Sequence, residues 1–186
     1  MSAPPVPAGG LPVGPAVAEA GSIRVRRAAP GDREALTQMF ARCTAETRYR
    51  RFHGPVKALP ERYLADALSG TPFHYALVAC PARAPGHGEP VPEAQRAVVA
   101  LASCRTVDEG AAELGLLIED AWQRHGLGTR LLRELVGYAA GAGLRVLEAQ
   151  LLAEQAWIAG LLRPYGSCRL RSTWSGVLNV TVRLAT

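Results

Sequence analysis

The sequence predicts a single mixed α/β domain with a mostly antiparallel sheet of six to seven strands, flanked by about four helices. Three observations favour this class. The 186 residues match the usual size of one domain. The composition, with 48% apolar and 20% charged residues, is typical of a globular protein. Strand and helix patterns follow one another in the order β α α β β β α β α β β, without an internal repeat.

The chain begins with a segment that predicts no regular structure. Residues 1–21 are rich in Ala, Pro and Gly, and they lack the basic start and unbroken apolar stretch of a signal peptide. We therefore expect a disordered tail there and one domain over residues 22–186. No apolar run reaches the length of about 18 residues that suggests a membrane-spanning helix, so no membrane partner is expected.

The first elements of the domain are a strand and two helices. Alternating apolar and polar residues predict a strand at 22–27. Asp32 is the expected N-cap of the following helix, because an apolar face begins soon after it. Residues 44–58 look too irregular for one element. A short amphipathic helix is expected at about 60–68.

Three strands follow in the middle of the chain. The apolar runs 74–80 and 97–106 predict two of them. The intervening residues 81–96 hold several prolines and glycines, which predict a long exposed hairpin loop that serves as a connection. Residues 112–118 predict the third strand, buried because nearly every position is apolar.

The last third predicts two helices and three strands. Leucines at helical spacing favour an amphipathic helix at 129–142, which glycines terminate. A strand at 145–152 and a helix at 154–162 follow. The final pair of strands, 169–174 and 177–184, predicts a hairpin around Ser-Gly.

Charge and cysteine spacing narrow the expected partners. The net charge is +5, and Lys57 is the only lysine among 21 basic residues. A basic surface attracts phosphates, but no nucleic-acid-binding motif is present, so we expect no nucleic-acid partner. The four cysteines, Cys43, Cys80, Cys104 and Cys168, have neither disulfide-framework nor zinc spacing. They predict buried thiols in a cytoplasmic protein and no metal site.

The segment Gln-Arg-His-Gly-Leu-Gly at residues 123–128 lies between a predicted strand and a predicted helix. Amides at a helix start, helped by roughly half a positive charge from the helix dipole, suit a pyrophosphate. Gly126 and Gly128 permit close approach of the backbone. The loop lacks the Gly-Lys-Ser/Thr of a Walker A motif, and Leu131 stands where a dinucleotide fingerprint has its third glycine. The residues alone leave a simple tight turn as an alternative.

The pattern Gln123-x-x-Gly126-x-Gly128, preceded by Trp122 and followed by a long helix, resembles the acyl-CoA signature of the GCN5-related N-acetyltransferases. The resemblance covers about residues 22–184. The segments Ala-Glu-Leu at 112–114 and Thr-x-Glu-Thr-x-Tyr-x-Arg-Phe at 44–52 are similar to the branch that contains bacterial protein-lysine acetyltransferases of the Pat type. The loop is specific for the superfamily, and the other two segments are moderately specific for the branch.

This resemblance implies acetyl-CoA as a co-substrate and no metal. It implies a splay between the fourth and fifth strands, 112–118 and 145–152, with the pantetheine arm in the gap and the pyrophosphate on the loop. The residues expected to contact the coenzyme are Leu116, Leu117, Ile118, Gln123, Arg124, His125, Gly126, Leu127, Gly128, Thr129, Arg130 and Gln155.

Acetyl transfer to a lysine amine needs a base, because an amine with a pKa of ~10.4 is mostly protonated at pH 7. The resemblance implies that Glu113 is this base. The other positions of its strand are apolar, and such surroundings favour a carboxylate that can accept a proton. A solvated residue at a strand start is the alternative interpretation. Glu119 and Asp120 are expected to be turn residues.

Three positions depart from the family pattern. Many members have Asn at the start of the next helix, Tyr seven residues later and Gly-Phe at its end, whereas this chain has Gln155, Leu162 and Gly166-Ser167. Leu162 cannot protonate a leaving thiolate, so we expect the thiolate to leave unaided or to take the proton of the amine. Tyr165 is expected to pack.

These features predict an acetyl-CoA-dependent N-acetyltransferase that acts on a lysine side chain of a protein, with residues 44–53 shaping the acceptor side. One alternative is acetylation of a small amine, which a small closed pocket lined by acidic residues would favour. The other is a non-catalytic acyl-CoA-binding regulatory module, which the departures suggest. Exposed strand edges leave a homodimer open.

Overall fold

The computed structural model describes residues 23–82, 97–173 and 176–185, which form one seven-stranded sheet and five α-helices. The strands are β1 (Ile23–Arg27), β2 (His74–Pro81), β3 (Ala100–Asp108), β4 (Ala111–Ile118), β5 (Val146–Leu152), β6 (Gly166–Ser172) and β7 (Val177–Leu184). The helices are α1 (Arg33–Arg42), α2 (Ala45–Phe52), α3 (Glu61–Leu68), α4 (Leu127–Gly141) and α5 (Ile158–Leu162). The predicted α/β class is confirmed, with one more helix than expected.

The sheet has the order β1-β2-β3-β4-β5-β7-β6. Every neighbouring pair of strands is antiparallel except β4 and β5, which are parallel. Ala111–Glu113 are the β4 residues that pair with β5, at Val146–Glu148, although β4 continues to Ile118. The two strands therefore separate towards their carboxyl ends, and the predicted splay between the fourth and fifth strands is confirmed.

The helices cover both faces of the sheet. On one face, α4 and α5 pack on a core that includes Leu131, Leu135 and Leu147, all fully buried. On the other face, α1 and α3 bury residues such as Met39 and Leu64. Because a fully buried leucine contributes about 1.5–3 kcal/mol relative to an exposed one, these two layers hold the helices firmly against the sheet.

Helix α2 corrects the expectation that residues 44–58 are irregular. The Oγ1 atom of Thr44 accepts a hydrogen bond from the Thr47 amide at 3.2 Å and caps the helix, and His53 ends it in a left-handed conformation with φ of 53°. The sequence of α2 holds few aliphatic residues. Apolar periodicity therefore does not reveal this helix, because hydrogen bonds and ring contacts rather than an aliphatic stripe attach it to the sheet.

The prediction of one helix over residues 154–162 is also wrong in its bounds. Ala153–Gln155 form a short 3₁₀ turn, Ile158–Leu162 form α5, and Arg163–Tyr165 form another 3₁₀ turn. The side chain of Gln155 accepts a weak bond from the Leu152 amide at 3.4 Å, which closes the first turn on itself. Pro164 has no amide hydrogen to continue the helix at its other end.

Asp32 precedes α1 as expected, but it does not cap the helix with its side chain. Its carboxylate accepts hydrogen bonds from Arg26 at 2.6 and 2.7 Å and from the Ala29 amide at 2.8 Å. Burial raises the pKa of Asp32, but these bonds outweigh it and lower the pKa overall. The residue therefore ties the start of α1 to β1.

Several predictions lie outside the described residues. These are the tail at 1–21, nearly all of the hairpin loop at 81–96, and part of the turn between the last two strands. None of the described helices is both long and apolar enough to span a membrane.

Candidate active site

The candidate site is built around β4, whose side chains alternate between the two faces of the sheet. Leu114, Leu116 and Ile118 pack against the core under α4. Glu113 and Gly115 line a cleft on the opposite face, beneath α2 and α3. One strand therefore separates two sites, a loop and helix start on one side and an open cleft on the other.

The gap beside β4 lies between these two sites. Residues 114–118 of β4 pair with β3 but, in the part of the chain that the structure describes, not with β5. Their backbone groups on the β5 side therefore lack the ladder partners of an inner strand. An amide-bearing molecule could hydrogen-bond there as an added strand would. Glu113 immediately precedes this unpaired segment.

The loop after β4 ends in a helix start whose amides are available. Gly126 precedes α4 in a left-handed conformation with φ of 79°, and α4 has neither a side-chain cap nor an acidic residue in its first turn. The first amides of an α-helix have no partner inside the helix. Together with the positive end of the dipole, they suit an anion such as a pyrophosphate.

Gly128, in the first turn of α4, holds the helix close to β4. A Cβ atom on this glycine would lie 3.4 Å from Ile118 Cδ1 and 3.5 Å from Leu116 Cδ2. These separations leave room for little more than a methyl group. The small residue therefore places the amides of the helix start beside the unpaired end of β4.

Two polar side chains of this loop form hydrogen bonds within the protein. Gln123 Nε2 donates to the Ile118 carbonyl at 2.9 Å and to Thr47 Oγ1 at 3.1 Å. Arg130 Nη1 donates to the Ile23 carbonyl at 2.8 Å. Arg124, His125 and Thr129 are exposed, and Leu127 is buried in the core. The loop can therefore offer an anion its backbone amides, to which the exposed side chains of Arg124 and His125 can add.

Asp120 joins the loop to α2, a role that the sequence did not indicate. Its carboxylate accepts hydrogen bonds from the Thr44 amide at 2.8 Å, from Thr44 Oγ1 at 2.7 Å and from Thr47 Oγ1 at 2.7 Å. Burial raises the pKa of Asp120, but the bonds from Thr44 and Thr47 outweigh it and lower the pKa. With Gln123 on Thr47, this network fixes the loop relative to the cleft on the other face.

The cleft has a volume of about 480 Å³ and is assembled from distant parts of the chain. It is lined by Arg51, Phe52, Pro60, Arg62, Tyr63, Asp66, His74, Ser103, Arg105, Glu113 and Gly115. Volumes of this order are typical of small-ligand sites.

Glu113 lies in this cleft rather than in apolar surroundings. Its carboxylate forms an ion pair with Arg105, which stands opposite it on β3, and the Glu113 side chain is about one-third exposed (34%). The apolar neighbours along β4 face other directions. The predicted environment of Glu113 is therefore wrong, because the strand neighbours do not surround its side chain. Its position beside the splay still suits a proton acceptor at that point.

Arg51 packs between two aromatic rings and the sheet. Its Cζ atom lies 4.8 Å from the ring centre of Tyr63 and 5.1 Å from that of Phe52. A Cβ atom on Gly115 would collide with an Arg51 terminal nitrogen, so glycine at this point of β4 leaves the space that the Arg51 guanidinium occupies. The Arg51 Nε atom is buried, and none of the described residues forms a hydrogen bond with it.

His74 is a second buried group of the cleft with unmet hydrogen bonds. The residue is 4% exposed, and neither Nδ1 nor Nε2 has a hydrogen-bond partner in the described part of the chain. Its ring meets that of Tyr63 edge-on at 6.3 Å. Burial lowers the pKa of His74, so the ring is neutral at pH 7 and offers one donor and one acceptor. No sequence pattern indicated this residue.

The positions that depart from the family pattern lie beyond β5. Gln155 closes the turn after β5, and Leu162 is buried in the core under α4 and α5, where it offers no proton. Tyr165 packs against the same core, as expected. Gly166 is required at the start of β6, because a Cβ there would collide with the Arg183 carbonyl.

Among the described residues, the cysteines and the potential metal ligands do not form a second catalytic or metal site. Cys43, Cys80 and Cys104 are buried thiols, and burial raises the pKa of both Cys43 and Cys104 to about 11. Among residues 23–82, 97–173 and 176–185, no three His, Cys, Asp or Glu side chains converge on a metal-sized site.

Comparison with known sequences identifies one family. The family described as acetyltransferase (GNAT) matches residues 44–159, which include α2, the cleft strands, the loop and α4. No curated protein sequence matches the chain.

Solved structures share the fold at low identity. The GNAT domain of S. lividans PAT is 21% identical with a TM-score of 0.67, covering 87% of this chain and 90% of that one. YncA of Salmonella typhimurium, solved with its cofactor acetyl-CoA, is 18% identical with a TM-score of 0.63, covering 88% and 95%. Spermidine N-acetyltransferase of Vibrio cholerae, in complex with CoA and spermine, is 12% identical with a TM-score of 0.61, covering 88% and 96%.

Proposed function

The chain belongs to the acetyltransferase (GNAT) family, and from that membership we propose that it transfers an acetyl group from acetyl-CoA directly to an amine, with a protein lysine side chain as the acceptor. The observation that carries the proposal is the position of Glu113 beside the unpaired end of β4, between the helix start of α4 and an open cleft. The choice of a lysine rests on the resemblance of residues 44–52 and 112–114 to the Pat-type protein-lysine acetyltransferases.

The loop and β4 would hold the coenzyme, which when bound supplies an activated acyl group. The uncapped start of α4, with Gly126 in a left-handed conformation and no acid in the first turn, fits a pyrophosphate. The β5-facing backbone groups of the segment Leu116, Leu117 and Ile118 fit the amides of the pantetheine arm, apart from the Ile118 carbonyl, which Gln123 already engages. Residues 123–130 supply this site chiefly through their backbone, and Gln155 lies at the end of β5 across the gap.

Glu113 would accept the proton of the incoming amine, directly or through a water molecule. A lysine amine with a pKa of ~10.4 must lose a proton before its lone pair can attack a carbonyl carbon. Arg105 orients the Glu113 carboxylate through their ion pair. Leu162 has no proton to give to the departing thiolate. The thiolate therefore leaves unaided or takes the proton of the amine.

A small-molecule amine is the second candidate acceptor. A cleft of about 480 Å³ is large enough to hold such a molecule, although it is open rather than closed and its lining is not mainly acidic. A polycationic amine fits poorly, since the cleft holds Arg51, Arg62 and Arg105 against the two carboxylates of Asp66 and Glu113.

Two measurements test the function. Calorimetric titration with acetyl-CoA should show saturable binding to the purified protein. Incubation with acetyl-CoA and a panel of lysine peptides and small amines, followed by mass spectrometry, should show a mass increase of one acetyl group on an amine. Failure to bind would contradict the proposal as a whole. Binding without transfer to any acceptor would instead support a non-catalytic acyl-CoA-binding module.

A further inference from the structure

We infer that the acceptor carries a carboxylate close to its amine, and that the guanidinium of Arg51 binds this carboxylate in the cleft. The inference rests on the proposed N-acetyltransferase function and specifies its substrate class. Neither the family match nor the neighbouring structures assign a ligand to Arg51.

The first argument is that Arg51 is held in place without an anionic partner. Its guanidinium is stacked against Phe52 and Tyr63 and lies over Gly115, yet no described residue supplies a carboxylate to it or a hydrogen bond to its Nε atom. Burying polar groups without partners costs free energy. A planar guanidinium fixed in this way is preorganised to bind a carboxylate through two hydrogen bonds.

The second argument is the charge balance of the cleft. Five charged side chains line it, namely the cations Arg51, Arg62 and Arg105 and the anions Asp66 and Glu113. The ion pair between Arg105 and Glu113 neutralises one charge of each sign. Arg51 and Arg62 then face Asp66 alone, so the cleft retains one net positive charge. The carboxylate of the proposed acceptor offsets the charge of its own ammonium group, so the imbalance does not grow, whereas a purely cationic amine raises it to two positive charges.

The third argument is the uncharged lining around Arg51. Tyr63 joins Arg51 to the other groups, because its ring contacts Arg51 and His74 while its hydroxyl lies 3.2 Å from Ser103 Oγ. His74 is neutral and has an unused donor nitrogen. These groups can donate hydrogen bonds to a carboxylate without adding charge, as a selective anion site requires.

The fourth argument is the spacing between Arg51 and the proposed base. Arg51 lies over Gly115, two residues after Glu113 on the same strand and the same face. Two residues of a strand span ~6.6 Å. An acceptor that places its amine near Glu113 and its carboxylate on Arg51 therefore needs only a few bonds between the two groups. A small amino acid meets this condition, and so does a protein lysine beside an acidic side chain.

The experiment compares acceptors that differ only in this charge. Small amines are offered as an amino acid and its amide, and peptides as a lysine next to Glu or next to Gln. The carboxylate member of at least one pair should be favoured by about 10-fold or more in kcat/KM, which corresponds to ~1.4 kcal/mol. A preference within the small pair alone identifies a small amino acid, and one within the peptide pair alone identifies a protein acceptor.

Arg51→Met should reduce this preference to within about 3-fold, and Arg51→Lys should restore part of it, because Lys keeps the charge but not the planar fork. Arg62→Met is the matched comparison, because it removes the same charge from the same cleft but at an exposed side chain, so the preference should fall less than in Arg51→Met. Acetyl-CoA affinity, measured by calorimetry, checks that each variant is folded.

Equal rates for both members of every pair in the wild-type protein would overturn this inference while leaving acetyl transfer intact. Persistence of the preference in a folded Arg51→Met variant, or its loss in Arg62→Met alone, would overturn the assignment of Arg51. If Arg51→Met fails to fold, the role of Arg51 is tested by the carboxylate preference of the wild-type protein and by its partial loss in Arg51→Lys. The absence of transfer to any amine would contradict the proposed function instead.

Discussion

The loop before α4 and the cleft beneath α2 and α3 lie on opposite sides of β4, and they differ in which groups remain available for binding. In the loop, the side chains of Asp120, Gln123 and Arg130 are engaged in internal hydrogen bonds, while the amides at the start of α4 have no cap. In the cleft, the backbone is engaged in the sheet and in helices α2 and α3, while Arg51 and His74 keep nitrogen atoms without partners among the described residues.

This difference indicates two modes of recognition. A site made of backbone amides depends on chain conformation, so it tolerates many side-chain changes but not a change that forbids the conformation. A site made of side chains depends on individual groups, so one substitution can change its chemistry. The proposed coenzyme side belongs to the first kind and the proposed acceptor side to the second.

The largest effect is expected in the cleft, from Glu113→Gln. Without a carboxylate to accept the proton of the amine, kcat should fall by roughly 10²-fold or more. Acetyl-CoA affinity should change little, because the helix start of α4 lies on the other face of the sheet. Steady-state kinetics and calorimetric titration measure the two quantities separately.

Glu109→Gln is the matched control, since Glu109 is an exposed acid near the start of the same strand and does not line the cleft. It should leave kcat within about 2-fold of wild type. Turnover by Glu113→Gln at the wild-type rate would remove Glu113 as the base and would direct attention to other groups of the cleft.

A smaller but clear effect is expected in the loop, from Gly126→Val. A β-branched residue in the left-handed conformation at φ of 79° costs about 1–3 kcal/mol, so acetyl-CoA affinity should fall by roughly 10- to 100-fold as the loop distorts. Gly137→Val controls for adding the same side chain to an exposed, open position of α4. His125→Ala tests the contrast directly.

If the backbone is the binding element, His125→Ala should keep acetyl-CoA affinity within about 3-fold, because it removes an exposed side chain and leaves the amide in place. Calorimetry on the three variants decides the question. A loss in His125→Ala as large as that in Gly126→Val would mean that the loop also recognises its ligand through side chains, and the contrast with the cleft would fail.

The same contrast explains what could be predicted from the sequence. The strands and α4 were predictable because apolar periodicity places their core residues, and the loop was noticeable because its glycines are contiguous with a helix start. The cleft could not be predicted, because His74, Ser103 and Glu113 come from three different strands, and the register between these strands is known only from the fold. The role of Asp120 was missed for the same reason, since its partners Thr44 and Thr47 lie over 70 residues away.

The smallest effect is expected from His74→Phe, on stability rather than catalysis. Both ring nitrogens of His74 are buried and have no partner among residues 23–82, 97–173 and 176–185, so replacing them with carbon should raise the free energy of unfolding at pH 7 by about 1 kcal/mol. Arg62→Phe in the same cleft, where no such nitrogens are removed, should give no comparable gain. Urea unfolding at several pH values measures the difference.

The pH dependence of His74→Phe carries a definite sign. Burial lowers the pKa of His74 below its ordinary 6.5, and Arg105 and Arg51 lower it further, against the raising influence of Asp66 and Glu113. The unfolded chain therefore binds a proton near pH 6.5, before the folded protein does, and wild-type stability should fall as the pH drops from about 6.5 to the folded pKa. His74→Phe should weaken this fall. His53, whose pKa is also lowered by burial and by Arg51, should preserve part of it.

An unchanged pH slope together with lower stability at pH 7 would show that the His74 nitrogens have partners in solution, and the cleft would then lack one of its unused donors.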